Sequence, residues 1–307
     1  MKLAAGISIG SSKRNKVVEI ELLNQKVRIE RIGTDGDMEK AAQLFKEMDG
    51  KVDAFGVGGA DLGLLVKDKW YPLYSVNSMI RFIQRTPVVD GSGLKITLEK
   101  LAAPVLEEKI SAYLDKAGRS AFVITGSDRY GLLRSFVDAR YQVVFGDLMF
   151  TLGLPFAVHS EKTIERLAAL LMPVAGRLPF SWVYPVGEAQ NKRTPRWVEH
   201  FQRATVIAGD CHYITRYMPD RLDGKVIVTN TTTLDDVEIF RQAGARYLLT
   251  TTPVLDGRSF GTNTMEAAFV AAMNWKTPID YAHPGAYLRD LQSVLEQHHI
   301  RPQLQEL

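Results

Sequence analysis

One cysteine, Cys211, in 307 residues rules out an internal disulfide, so packing and hydrogen bonds must hold the fold. No run approaches the roughly 20 apolar residues needed to span a bilayer. The opening stretch MKLAAGISIGSSKR is too weakly apolar for a secretory signal, and a cytoplasmic protein is expected. Charge of one sign is also missing. Lys plus Arg number 38 against 35 Asp plus Glu, with both signs interspersed, so neither a nucleic-acid partner nor a membrane partner is expected. The six histidines and single cysteine show no metal-ligand spacing, which argues against a metal centre. Internal repeats and low-complexity tracts are absent as well.

What the chain does have is core material. Residues of hydrophobic type make up 46% of it, enough for one large or two medium domains. Strand-like runs alternate with helix-like ones, punctuated by Gly and Pro, and this predicts an α/β protein. In the first hundred residues the pattern predicts strands over 3–9, 17–22, 27–32 and 54–57, with a helix over 38–48. A second helix, over 94–116, carries an apolar face through Leu98, Leu101 and Val105. The expected organisation is an N-terminal α/β domain over 1–103, a doubly wound, mostly parallel Rossmann-like domain over 104–275, and a helical tail over 276–307.

The second domain carries a dinucleotide signature. In such units the first strand ends in a glycine-rich turn that lets a pyrophosphate sit on the next helix N-terminus, and an acid ending the second strand holds the ribose. Apolar residues 121–124 precede Gly126, Ser127, Asp128, Arg129, Tyr130 and Gly131, with the glycines at the first and third fingerprint positions and Asp128 at the middle one. Asp147 lies 21 residues beyond Gly126, close to the expected spacing of about 20. A carboxylate there accepts hydrogen bonds from a ribose diol and repels a 2′-phosphate, which favours NAD over NADP. Arg129 offers a charge-assisted contact to the phosphates. Later strands are expected over 205–208, 225–229 and 247–251, and Gly209, Asp210, Asn230, Thr231 and Thr232 just past their ends should border the nicotinamide and its ribose. Thr233 has the makings of an N-cap for the helix from Leu234.

Four polar, glycine-rich loops follow strand or helix ends in the first hundred residues: 10–16, 31–37, 56–63 and 89–95. Ser11, Ser12, Lys13 and Arg14 combine hydroxyl and cationic donors suited to a carboxylate or phosphate. The alternative is an exposed turn with solvated charges. Lys95, with Asp61 or Asp90 beside it, is the leading candidate for moving the proton that accompanies hydride transfer to a carbonyl. Its competing assignment is a surface helical lysine, and Asp90's is a helix N-cap. His212 is a further proton-transfer candidate because it follows Asp210. The segments 184–190 and 255–266, the latter with Arg258, Asn263 and Glu266, are more polar than connecting loops require.

The motifs GSSKR, GTDGD, VDGSGLK, FGDLMFTLGLP, YPVGEAQ, TNTTT and GRSFGTN make the chain resemble, over nearly its whole length, a bacterial family labelled quinate or shikimate 5-dehydrogenase-like. That resemblance implies an N-terminal catalytic α/β domain joined to a Rossmann domain, and a Lys–Asp pair for proton transfer, with Lys95 and Asp61 or Asp90 as the nearest counterparts. The expected function is an NAD(P)-dependent oxidoreductase on a small hydroxy or oxo acid, with a homodimer compatible. The alternatives are a non-redox nucleotide-binding or metabolite-sensing protein, or a transferase on an anionic small molecule.

Overall fold

The computed structural model describes residues 1–179, 193–253 and 260–307. They form two compact units: described residues among Met1–Leu94, Leu171–Ala189 and Leu255–His299 make the first, and those among Lys95–Leu170, Gln190–Val254 and Ile300–Leu307 make the second. The boundaries expected at 103 and 275 are therefore corrected. The first falls inside the short helix Ser92–Thr97, and the chain returns to the first unit after residue 255.

The first unit is built on strands β1 (Lys2–Ser8), β2 (Lys16–Leu22), β3 (Gln25–Gly33), β4 (Ala54–Gly58) and β7 (Val88–Val89), in the order β2-β3-β1-β4-β7. A separate hairpin joins β5 (Gly63–Val66) to β6 (Lys69–Pro72). Strand β1 is buried along most of its length, as a central parallel strand should be. Strand β2 instead alternates exposed and buried positions and pairs antiparallel at the edge. Helix Thr262–Ala272 is buried along nearly its whole length and lies on β1 and β4. Two strand glycines permit that approach: a Cβ on Gly6 would collide with Thr264, and one on Gly56 would lie 2.6 Å from the Asn263 carbonyl oxygen. This close fit is the physical reason why helix Thr262–Ala272 belongs with the first sheet and not with the strand that precedes it in sequence.

The second unit is a six-stranded sheet of β8 (Ser120–Val123), β9 (Gln142–Phe145), β10 (Val206–Ala208), β11 (Val226–Thr229), β12 (Tyr247–Thr250) and β13 (Gln303–Glu306). Its order is β13-β12-β11-β10-β8-β9, parallel except for β13. The interior strands are continuous apolar runs, and Phe122, Ile207, Ile227 and Leu248 build the core with Phe201, Ile214 and Phe240 from the helices. This is the doubly wound α/β plan that the alternation predicts. Two details differ. The hydropathy pattern also predicts a short strand over 156–158, where the structure has one antiparallel bridge between Phe145 and Val158, and the polar end beyond residue 300 supplies β13 rather than part of a helical tail. Because β9 lies on one side of β8 and β10 on the other, the winding reverses between β8 and β10. Ligands of open α/β sheets bind at such switch points, outside the carboxyl ends of the strands.

Candidate active site

The turn 125–131 follows β8 at this switch point and leads into helix Tyr130–Asp138. Gly131 is needed because helix and preceding chain meet there: a Cβ would strike the Lys95 carbonyl oxygen and lie 2.9 Å from Ile96 Cα. Close packing is the role expected of a third fingerprint glycine, but the partner here is the 95–96 segment. That packing sets Lys95 over the turn, where its Nζ lies 2.6 Å from Asp128 Oδ1. The carboxylate that stands where a dinucleotide fingerprint has its middle glycine is thus the partner of the lysine. The partners expected for Lys95 were Asp61 and Asp90. Asp90 is instead buried in the first unit, where it accepts hydrogen bonds from the amides of Leu62 at 2.6 Å and Ser92 at 2.9 Å. Asp61 is half-buried in the loop after β4.

Asp147 also departs from expectation. It opens the helix Asp147–Thr151 after β9, is buried, and accepts from the amides of Gly126 and Ser127, each at 2.8 Å. Burial pushes its carboxyl above the ordinary range, and the Ser127 and Gly126 donors offset part of that push. The carboxylate expected to hold a ribose therefore closes the turn from inside, and its oxygens take two amides that the fingerprint would offer to phosphate. The turn does not fit a pyrophosphate held in the fingerprint manner.

Arg129 is likewise not turned toward a phosphate. Its side chain is only 3% exposed and pairs with Glu99 through Nη1 and with Asp210 through Nη2 at 2.9 Å. Asp210 caps helix Cys211–Tyr217 by accepting from the His212 amide at 2.9 Å, and it also accepts from Asn230 Nδ2 at 3.0 Å. Burial opposes ionisation of Asp210, but the Arg129 charge, then the His212 charge and amide, outweigh it and hold the carboxyl below its usual value. Glu99 is different: burial dominates over the Arg129 and Lys95 charges, and its carboxyl is pushed up to about 7. Sequence reasoning missed Glu99, which occupies the expected apolar helix. The available signal was an acid flanked by Leu98 and Leu101 on that buried face.

Of the remaining expected cofactor contacts, Gly209 is buried against Ile124, while Asn230, Thr231 and Thr232 are half-buried past the end of β11. Those three form the part of the edge whose donors suit a ribose or an amide. Thr233 caps its helix through a capping box with Asp236. The His212 side chain is exposed, and His212 joins the cluster through its backbone N–H to Asp210 and through its charge on that carboxyl. Cys211 is buried, and burial pushes its thiol up, the reverse of the lowered value that favours a thiolate.

In the first unit the four glycine-rich loops do gather at one edge, past the carboxyl ends of β1, β3, β4 and β7. Two of them are laced together: Thr34 N donates to Ser8 O at 2.8 Å and Gly36 N to Ile9 O at 2.7 Å. The Ser11 hydroxyl is spent capping the turn Ser12–Arg14, and the Ser12 amide donates to Asp35 at 2.7 Å. Lys13 and Arg14 are exposed. Glu266, expected near a ligand, is fully buried and accepts from the Leu94 amide at 3.0 Å and the Tyr287 hydroxyl at 2.7 Å. Burial, followed by the Asp90 charge, pushes its carboxyl up to about 8. Residues 184–190 and Arg258 lie outside the described residues. Among the described residues no group of three or more His, Cys, Asp or Glu could hold a metal, and no helix is long and apolar enough to cross a membrane.

Among curated proteins, none matches the chain. Among solved structures it is similar to malic enzyme from Entamoeba histolytica, with TM-score 0.37 and 13% identity over 98% of this chain and 64% of that one. The chain thus spans less than two thirds of the enzyme's length. It is also similar to a Mycobacterium smegmatis protein in complex with β-D-fucofuranose, with TM-score 0.32 and 12% identity over 96% of this chain and 98% of that one. Scores this low assign no role to any residue. Two family models match: one described as a domain of unknown function (DUF8753) over residues 4–90, and one as a domain of unknown function (DUF8754) over residues 93–307. The second spans more than half of the chain, which therefore belongs to the DUF8754 family.

Proposed function

We propose that the chain is an oxidoreductase acting on a small hydroxy or oxo acid, with Lys95 and Asp128 as its proton-transfer pair. The observation that carries this reading is the 2.6 Å contact between Lys95 Nζ and Asp128 Oδ1, within a parallel sheet whose winding reverses beside the Asp128 turn. In the reductive direction the Lys95 ammonium gives a proton to the substrate oxygen as carbonyl becomes alcohol, and in reverse the free amine takes the hydroxyl proton. Asp128 keeps the ammonium in place. A positioned acid–base group of this kind is worth about 10²–10⁴ in rate. A nicotinamide dinucleotide, NAD ahead of NADP, would supply or accept the hydride when bound. Its holders would be Asn230, Thr231 and Thr232, since Asp147 already takes the Gly126 and Ser127 amides. Quinate or shikimate are the substrates that the family resemblance suggests.

Fluorescence titration with NADH and NADPH tests the cofactor, and turnover with hydroxy and oxo acids tests the chemistry. Saturable binding of one dinucleotide with turnover supports the reading. No binding of either up to millimolar concentration sinks it. One observation favours a second reading, a non-redox small-molecule enzyme or sensor: the carboxylates Asp128 and Asp147 stand at the turn where phosphates would go. Binding of a hydroxy acid without either dinucleotide would support it.

A further inference from the structure

Five ionisable side chains meet around Arg129, and their formal charges do not cancel. Lys95 and Arg129 bring two positive charges, and the exposed His212 beside Asp210 a third only when protonated, while Glu99, Asp128 and Asp210 bring three negative ones when all are ionised. Lys95, Arg129 and Glu99 are at most 9% exposed at their side chains. An uncompensated charge in such a place is costly, and the usual escape is to bind a proton. Asp128 and Asp210 are about a quarter exposed, so the excess charge is least tolerated on Glu99, and one proton there relieves it.

Hydrogen bonding selects the same acid. Asp128 has the Lys95 ammonium at 2.6 Å. Asp210 has Arg129 at 2.9 Å, Asn230 at 3.0 Å and the His212 amide at 2.9 Å. Glu99 touches Arg129 through Oε1 only, and its buried Oε2 has no hydrogen-bond partner among the described residues. A carboxylate with one oxygen buried and unpaired is poorly stabilised, whereas a carboxylic acid tolerates that place better.

We propose that Glu99 is the acid of this cluster that exchanges its proton around neutral pH, and that it acts as a positioning residue whose ionisation sets the charge Lys95 works against. The inference rests on the reading of Lys95 and Asp128 as the proton-transfer pair for its functional meaning, but not for its test. The groups that face Glu99 are Arg129 and Lys95, which favour its ionisation, and Asp128 and Asp210, which oppose it. Burial, with Asp128 and Asp210 acting in the same direction, outweighs the Arg129 and Lys95 charges and brings its titration to about 7. When Glu99 loses its proton, a second buried negative charge stands on Arg129, less positive field reaches Asp128, and Lys95 becomes the better-compensated cation. A more alkaline medium thus makes the lysine a more reluctant donor.

The experiment uses the full chain without substrate. A pH series of infrared spectra in D₂O, taken as wild type minus Glu99→Gln, isolates one protonated-carboxyl C=O band. In parallel, the ε-carbon resonance of Lys95, identified by its loss in Lys95→Met, is followed by NMR. The expected result is a difference band at pH 6 that fades near pH 7, with a matching step in the Lys95 resonance that Glu99→Gln abolishes. Removing the facing cation in Lys95→Met should move the fading point upward by about one pH unit, a tenfold gain in proton affinity. If Glu99→Gln fails to fold, the pH dependence of the wild type minus Lys95→Met difference spectrum reads the same shift of the protonated-carboxyl band. Absence of the band at pH 6, a Lys95 step that survives Glu99→Gln, or no shift in Lys95→Met overturns the proposal. Failure of the functional reading looks different: the band behaves as expected, but Lys95→Met turns substrate over as wild type does.

Discussion

Glu266→Gln separates the cost of a buried charge from the value of its hydrogen bonds. In the wild-type chain Glu266 sits fully buried in the first unit and accepts from Leu94 N on Oε2, from Tyr287 Oη on Oε1 and from the Gly93 amide. A carboxyl whose folded value is raised binds its proton more tightly in the folded than in the unfolded chain. Its contribution is fully present below the unfolded value of 4.5 and is lost as pH rises through about 8. At 1.36 kcal/mol per unit, that rise corresponds to an upper figure of roughly 5 kcal/mol lost between acid and alkaline solution. Glutamine has the shape of the protonated acid and cannot ionise. Its carbonyl can accept from Leu94 N, and its amide can donate to the Tyr287 oxygen, because a phenol switches from donor to acceptor. The variant should match wild type within about 1 kcal/mol at pH 5 and exceed it at pH 9 by a few kcal/mol. Urea unfolding of both proteins at pH 5, 7 and 9 measures this. Parallel stability–pH curves for the two proteins would refute the reasoning.

Three other substitutions test other parts of the structure. Asp147→Ala leaves the amides of Gly126 and Ser127 without their acceptor, which should cost about 2–5 kcal/mol in denaturant unfolding; a loss below 0.5 kcal/mol would mean that the carboxylate does not close the turn. Gly131→Ala drives a Cβ onto the Lys95 carbonyl and should cost about 1–3 kcal/mol, lowering Tm measurably, whereas an unchanged Tm would show that the helix does not pack on residues 95–96 so closely. Arg129→Met strands Glu99 and Asp210 without their cation and should cost about 3–5 kcal/mol at pH 8, with part of the loss recovered at pH 5 as the acids protonate; a pH-independent loss would contradict the charge argument.

The local part of this architecture is legible in the residues. Helix Met38–Met48 and strand Ala54–Gly58 fall where periodicity puts them, and Thr233 caps its helix as its position suggests, because each depends on neighbours in sequence. The failures are non-local. Helix Thr262–Ala272 follows β12 in the chain but packs on β1 and β4, and nothing within the helix says which sheet its apolar surface will meet. Strand β13 reads QLQE, a polar edge with no strand-like alternation of its own, and it forms by pairing with β12. At the site, the spacing of Gly126, Asp128, Gly131 and Asp147 correctly marks a turn, while the roles of those residues follow from partners about 20 to 36 positions away: Asp128 from Lys95, Gly131 from the Lys95 carbonyl, Asp147 from Gly126. A fingerprint specifies a turn more firmly than it specifies what the turn holds.

The most direct test of the Lys95–Asp128 pair is the behaviour of Lys95→Met in dinucleotide binding and in turnover of small hydroxy and oxo acids. On the proposed assignment, Lys95→Met should bind NADH or NADPH as wild type does and lose about 10²–10⁴ in kcat, because it would remove the proton donor and leave the proposed cofactor holders Asn230, Thr231 and Thr232 in place. A Lys95→Met protein with wild-type kcat would contradict the assignment.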